Sequence, residues 1–147
     1  MRILLQRVQE ASVDIGEETV GAIGRGYLLF LGVVNGDTEE QARWLAEKIV
    51  KLRLFDGEDG RINDRSLLDI DGAALVVSQF TLAGRVEKGN RPDYTHAEAP
   101  EAARVLYERF IELLGQMGVQ HLASGRFGAF MQVRLTNDGP VTLVLER

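Results

Sequence analysis

Cysteine is absent from this 147-residue chain, which excludes a disulfide framework, a thiol nucleophile and a thiolate metal site. Histidine is scarce, with His96 and His121 as the only 2. Neither stands in an H-E-x-x-H arrangement or beside another evident ligand, so a metal-dependent hydrolase is not expected and both read as surface or packing residues. Long apolar runs are missing too. The longest, Tyr27 to Val34, falls far short of the ~20 residues a membrane helix requires, and Met1-Arg2-Ile3-Leu4-Leu5 is too short for a signal-peptide core. A cytoplasmic protein with no membrane partner is expected. Basic residues are also outnumbered: a net charge of -5 and a pI near 5.1 argue against coating a nucleic-acid duplex, so any RNA contact must be local.

What is present is an ordinary soluble core, with 45% hydrophobic and 27% charged residues. The length fits one domain over residues 1–147, able to bury about two-thirds of its unfolded surface. Arg2 to Val8, Ser12 to Ile15 and Thr19 to Ile23 read as short strands parted by turn glycines. The continuous run Tyr27 to Val34 reads as a central strand buried on both faces. Thr38 with Gln41 forms a capping box, and Ala42, Leu45, Ile49 and Leu52 give the apolar stripe of a packing helix. Residues 55–72 favour a surface loop, 73–80 a strand, and 83–97 a second loop long enough to be functional. Pro100 opens a second helix with Ala102, Leu106, Phe110 and Leu113 on one face. Two final strands, from Ala129 and from Val141, are joined through Asn137-Asp138-Gly139-Pro140. The helices are too few for alternating βαβ units. The expected fold is therefore a single α/β domain: a curved, largely antiparallel, barrel-like sheet with two helices outside.

Few residues carry obvious chemistry. Gly21 to Gly26 lacks the Lys-Ser/Thr pair and following helix of a phosphate loop and reads as a hairpin turn. Ser78-Gln79-Phe80-Thr81-Leu82 ends a buried strand, where period-two geometry sets Gln79 and Thr81 on one face and Ser78 and Phe80 on the other. Substrate binding and mere satisfaction of nearby backbone are equally open there by spacing alone. Thr81 has no evident base beside it, so it suits hydrogen bonding to substrate better than nucleophilic attack. Arg85, Lys88 and Arg91 cluster on a glycine-containing loop that could hold a few phosphates, or could be a solvated charged turn. Asp138-Gly139-Pro140 by itself reads as a plain turn.

Taken together, these segments resemble the D-aminoacyl-tRNA deacylase family along essentially the whole chain. The resemblance rests on Gln6-Arg7-Val8, Leu52-Arg53-Leu54-Phe55, Ser78 to Leu82, Lys88-Gly89-Asn90-Arg91-Pro92, Phe127-Gly128-Ala129 with Met131, and Asn137 to Thr142, in that order. The chain departs from the family pattern at Ala83-Gly84-Arg85 and fits it loosely at Arg61-Ile62-Asn63.

The resemblance implies hydrolysis of the ester of D-aminoacyl-tRNA, and of glycyl-tRNA, without a cofactor, by a homodimer with its active sites at the interface. It places the amino acid near Ser78, Gln79, Phe80, Thr81 and Met131 of one subunit. A cis Gly139-Pro140 peptide from the other would reject L side chains by a backbone clash, which glycine escapes. Backbone N–H groups of Phe80 and Thr81 are the oxyanion candidates, the terminal ribose 2′-hydroxyl is the implied assistant, and Arg85, Lys88 and Arg91 are candidate RNA contacts. The tRNA would be met at its 3′ acceptor end. Two other readings compete: a non-catalytic RNA-end-binding module using the Arg85 to Arg91 loop, and a dimeric structural protein whose Gly139-Pro140 turn seals an interface. The family resemblance assigns Asp138 no task.

Overall fold

The computed structural model describes residues 1–87 and 89–147. In chain order the elements are β1 (Arg2–Ile15), β2 (Glu18–Ile23), β3 (Gly26–Gly32), α1 (Glu39–Lys51), β4 (Arg53–Phe55), β5 (Arg65–Ser66), β6 (Ala73–Ser78), α2 (Pro100–Gln116), β7 (His121–Ser124) and β8 (Gln132–Glu146). The main sheet runs β2-β1-β3-β6-β7, with β8 on the free side of β1. It curls until its ends nearly meet: a Cβ added to Gly21 of β2 would lie 2.8 Å from the carbonyl oxygen of Ser124 in β7. The result is a nearly closed, barrel-like mixed sheet.

The apolar run of β3 is explained by burial on both faces. Tyr27, Leu29 and Leu31 point into a core shared with both helices, while Leu28 and Phe30 point into the barrel. β6 alternates in the same way, with Ala74 and Val76 under the helices and Leu75 and Val77 inside. Each fully buried Leu or Val among them contributes about 1.5–3 kcal/mol.

The expectation of a largely antiparallel sheet needs correction. β1 is antiparallel to β2, β3 and β8, but β3 pairs with β6, and β6 with β7, in parallel. Parallel neighbours need long crossovers. α1 lies in the β3 to β6 connection and α2 in the β6 to β7 connection, so two helices suffice for two crossovers. The expected loop at 55–72 also contains β5, which pairs antiparallel with β4 just before it.

α1 starts where its local chemistry dictates. Gln41 Oε1 accepts from the Thr38 backbone N–H at 2.9 Å, and the Thr38 hydroxyl accepts from the Glu40 N–H at 3.3 Å. α2 buries Phe110 and Leu113 as expected and half-buries Leu106, but Ala103, Tyr107 and Leu114 are buried as well, whereas Ala102 is exposed. Arg109 ties the two helices together, donating to Glu39 and Glu112 at 2.9 Å each.

β1 is one bent strand rather than two. Ile3 and Leu5 are buried on its first half and Val8, Ala11 and Val13 on its second, and register slips near Val8 account for the change of phase. β8 is likewise continuous. Residues 132–137 and 142–146 both pair with β1, so Asn137 to Pro140 does not reverse the chain. From Asn137 to Thr142 β8 takes five steps while β1 takes two from Val8 to Gln6, so three extra residues are extruded as a bulge.

Candidate active site

β6 stops at Ser78 because the chain tightens. The Gln79 N–H still donates to Leu31 at 2.7 Å, but Leu82 N–H returns to Gln79 at 3.2 Å and Gly84 N–H to Thr81 at 3.0 Å, closing a 3-10 turn over Phe80–Ala83. The period-two reading of this segment therefore fails beyond Ser78. The turn instead brings Gln79 and Thr81 together, with Gln79 Nε2 donating to the Thr81 hydroxyl. Arg2 Nη1 anchors the turn through the Leu82 carbonyl at 2.9 Å. The following loop folds back on itself, Arg85 and Asp93 exchanging backbone hydrogen bonds of 2.8 Å. Tyr94 then meets the edge of Phe80 at 5.1 Å between ring centroids.

A cavity of about 820 Å³ opens at this end of β6. It is lined by Val77, Ser78, Gln79 and Phe80 and by Phe127 to Met131, with Tyr94, Glu98 and Tyr107 also contributing. Most of the lining is apolar, as small-molecule sites generally are. Its floor is fixed by the Tyr107 hydroxyl, which donates to the Val76 carbonyl at 2.9 Å, while Gly125 N–H donates to the same oxygen at 3.0 Å. Burial pushes the Tyr107 hydroxyl up to about 12, so it stays a neutral donor. Gly125 also admits the neighbouring thioether: a Cβ there would fall 2.5 Å from Met131 Sδ. Glu98 is occupied with backbone, accepting from Gly36 at 3.2 Å and Ala99 at 2.8 Å.

Of the residues expected at the site, Ser78, Gln79, Phe80 and Met131 share this cavity. Thr81 is exposed and is not among the cavity's lining residues, but its hydroxyl accepts from Gln79, which is. Gly139 and Pro140 do not line it; they are exposed at the extruded bulge, with a cis peptide between them. Arg85 and Arg91 are exposed on the loop, and Lys88 lies outside the described residues. Tyr107 was missed because the first half of the stripe was set one residue early, at Ala102 and Leu106; Ala103, Tyr107, Phe110 and Leu114 recur at the same helical spacing.

The bulge is bolted down from below. Arg7, only 7% exposed, donates Nε to the Asp138 carbonyl at 3.1 Å and pairs with its carboxylate at 2.9 Å. The same guanidinium donates to the Leu54 carbonyl and lies 6.0 Å from the Phe55 ring centroid. Asn137 Nδ2 donates to Arg7 at 2.9 Å and to Val141 at 3.3 Å. Asp138, left without a task on sequence grounds, is thus the anchor of Gly139-Pro140. Among the described residues no His, Cys, Asp or Glu group could hold a metal ion, and no helix is long and apolar enough to cross a membrane.

Comparison with known proteins is consistent along the whole chain. Residues 4–146 match the family model described as D-Tyr-tRNA(Tyr) deacylase. A D-aminoacyl-tRNA deacylase of Thermotoga petrophila is 52% identical over 99% of this chain and 97% of its own. One from Thermus aquaticus is 53% identical over 99% and 95%. Among solved structures, one described as c-Myc DNA Unwinding Element Binding Protein superposes with TM-score 0.95 at 42% identity, covering 100% of this chain and 99% of that one. A probable eukaryotic D-amino acid tRNA deacylase, at 21% identity and TM-score 0.84 over 98% and 97%, shares the fold. By its match over residues 4–146 and its full-length relatives, the chain belongs to the D-aminoacyl-tRNA deacylase family.

Proposed function

We propose that this chain hydrolyses the ester linking a D-amino acid, or glycine, to the 3′ end of tRNA, and that each active site is completed by two copies of the chain. The observation that carries the reaction is the convergence of Ser78, Gln79, Phe80 and Met131 on one cavity of about 820 Å³, a size suited to an aminoacyl nucleoside. The observation that carries the two-copy site is that Gly139-Pro140 is exposed and does not line its own chain's cavity. A second copy would be seated on the apolar side chains that β8 leaves to solvent, Leu135, Leu143 and Val144.

In this mechanism Gly139 and Pro140 of the partner enter the cavity mouth, and their carbonyl oxygens hold the substrate α-amino group. An L side chain would then run into backbone, a D side chain would point outward, and glycine would pass. Water adds to the ester carbonyl carbon, the oxyanion is met by backbone N–H groups of Phe80 and Thr81, and the ribose oxygen leaves with a proton assisted by its neighbouring 2′-hydroxyl. An aminoacyl ester is already activated, so positioning and oxyanion stabilisation suffice without a side-chain nucleophile. Arg85, Lys88 and Arg91 serve the acceptor-stem phosphates.

The test is release of D-tyrosine from D-tyrosyl-tRNA against L-tyrosine from L-tyrosyl-tRNA, with glycyl-tRNA as a third substrate. The D ester and the glycyl ester should be cleaved and the L ester spared. Tight binding of D-tyrosyl-tRNA with no turnover would reject the enzyme in favour of an RNA-end-binding module.

A further inference from the structure

We infer that Phe130 is a stacking platform for the base preceding the aminoacylated terminal nucleotide of the tRNA, with Phe80 and Tyr94 as further aromatics of the same cavity lining. The inference rests on the deacylase reading above. Phe130 is 100% exposed, although its neighbours Ala129 and Met131 are partly buried in the same cavity wall. Its ring therefore does nothing for packing within the chain. Also in the cavity lining, Phe80 is 59% and Tyr94 38% exposed, and their rings brace each other edge to face.

Size and charge point to the occupant. A cavity of about 820 Å³ accommodates a terminal nucleoside with its amino acid, which leaves the next nucleotide at the rim, where Phe130 stands. That nucleotide is single-stranded, and any base can stack on an exposed aromatic face without hydrogen-bond readout. With a net charge of -5 the chain can offer phosphates only local cations such as those of the Arg85 to Arg91 loop, so a non-ionic contact at the rim adds to its hold on RNA. The side chains left for a second copy, Leu135, Leu143 and Val144, lie instead along β8.

The experiment compares kcat/KM for D-tyrosyl-tRNA with that for 3′-O-D-tyrosyl-adenosine, which lacks the preceding base. For Phe130→Ser the ratio of the two should fall about tenfold, within what loss of one base stack costs. The fall should appear in KM for the tRNA with kcat held, and the salt dependence of KM should keep its slope because no phosphate contact is removed. Phe130→Trp should keep the ratio. An unchanged ratio in Phe130→Ser overturns the proposal. So does an equal loss on both substrates accompanied by a particle mass falling to that of one chain, which would place Phe130 between copies. A wild-type protein inert toward both substrates would remove the deacylase reading itself, and this inference with it.

Discussion

The cavity at the end of β6 and the bulge in β8 are built by opposite means. The cavity is shaped by packing: Val77, Tyr107, Phe127 and Met131 enclose it, and its polar contribution from the helices is a single buried hydroxyl on the Val76 carbonyl. The bulge is held by polar bolts under an exposed tip, with the Arg7 guanidinium and the Asn137 amide spanning it. A packed wall tolerates substitution in proportion to volume, whereas a polar bolt fails when one partner is removed. Within one chain the two regions do not share a cavity, a separation that the proposed two-copy active site would account for.

The largest effect should come from breaking the bolt. Arg7→Ala leaves Asp138 and the Leu54 carbonyl without their partner. A loss of about 3 kcal/mol in stability is expected by urea unfolding, at the low end for broken buried pairs because Asp138 is partly exposed. Arg7→Lys should recover only part of it, since an ammonium cannot reproduce the guanidinium fork. If Arg7→Ala unfolds at the wild-type denaturant concentration, the bolt is not what holds the bulge.

Gly139→Ala separates the bulge's function from its fold. A Cβ there would meet only Asn137 Oδ1, at 3.8 Å, so stability should change by less than about 0.5 kcal/mol. Activity on D-tyrosyl-tRNA should nevertheless fall about a hundredfold, the scale of a misplacement near 1 Å at a reacting centre. A fully active Gly139→Ala with unchanged D/L selectivity would take the bulge out of the active site.

Much of this contrast was hidden from the sequence, for a common physical reason. α1 was legible because its capping box and stripe lie in one short stretch, Thr38 to Leu52, and β3 because burial on both faces leaves an unbroken apolar run. Ser78 to Phe80 and Met131, expected at the site through family motifs, do line one cavity. The direction of β6 and β7 was not legible, because parallel pairing is decided by partners far along the chain. β7, only 4 residues long, is too short to carry a period. The bulge read as a turn because Arg7, the residue that straightens β8 around it, lies 131 positions away. Asp138 could not be assigned a task without that contact.

The cavity floor gives a smaller, pH-dependent effect. Tyr107 is raised from an ordinary value of 10.0 to about 12 by burial. Between those values the unfolded chain has released the proton and the folded chain still holds it, so stability is complete below about pH 10 and falls as pH rises toward 12. Burial pushes Tyr27 upward as well, so Tyr107→Phe should flatten this alkaline decline in part. An unaltered alkaline limb would separate the hydroxyl from the cavity floor. The smallest effect belongs to Thr81→Ala, which removes one exposed hydrogen bond from Gln79 and should lower kcat/KM by no more than about fivefold. Complete inactivity with tRNA binding intact would make Thr81 part of the chemistry.

The central claim, that one chain's bulge serves the other's cavity, is tested by mixing two inactive variants. Gly139→Ala spoils the bulge and keeps the cavity; Ala129→Trp fills the cavity wall and keeps the bulge. Unfolded together in equal amounts and refolded, they should form mixed dimers in which one cavity and one bulge are both intact. Hydrolysis of D-tyrosyl-tRNA should then return to about a quarter of the wild-type rate, because half the dimers are mixed and each holds one good site of two. A rate equal to the mean of the two variants measured separately would contradict the account.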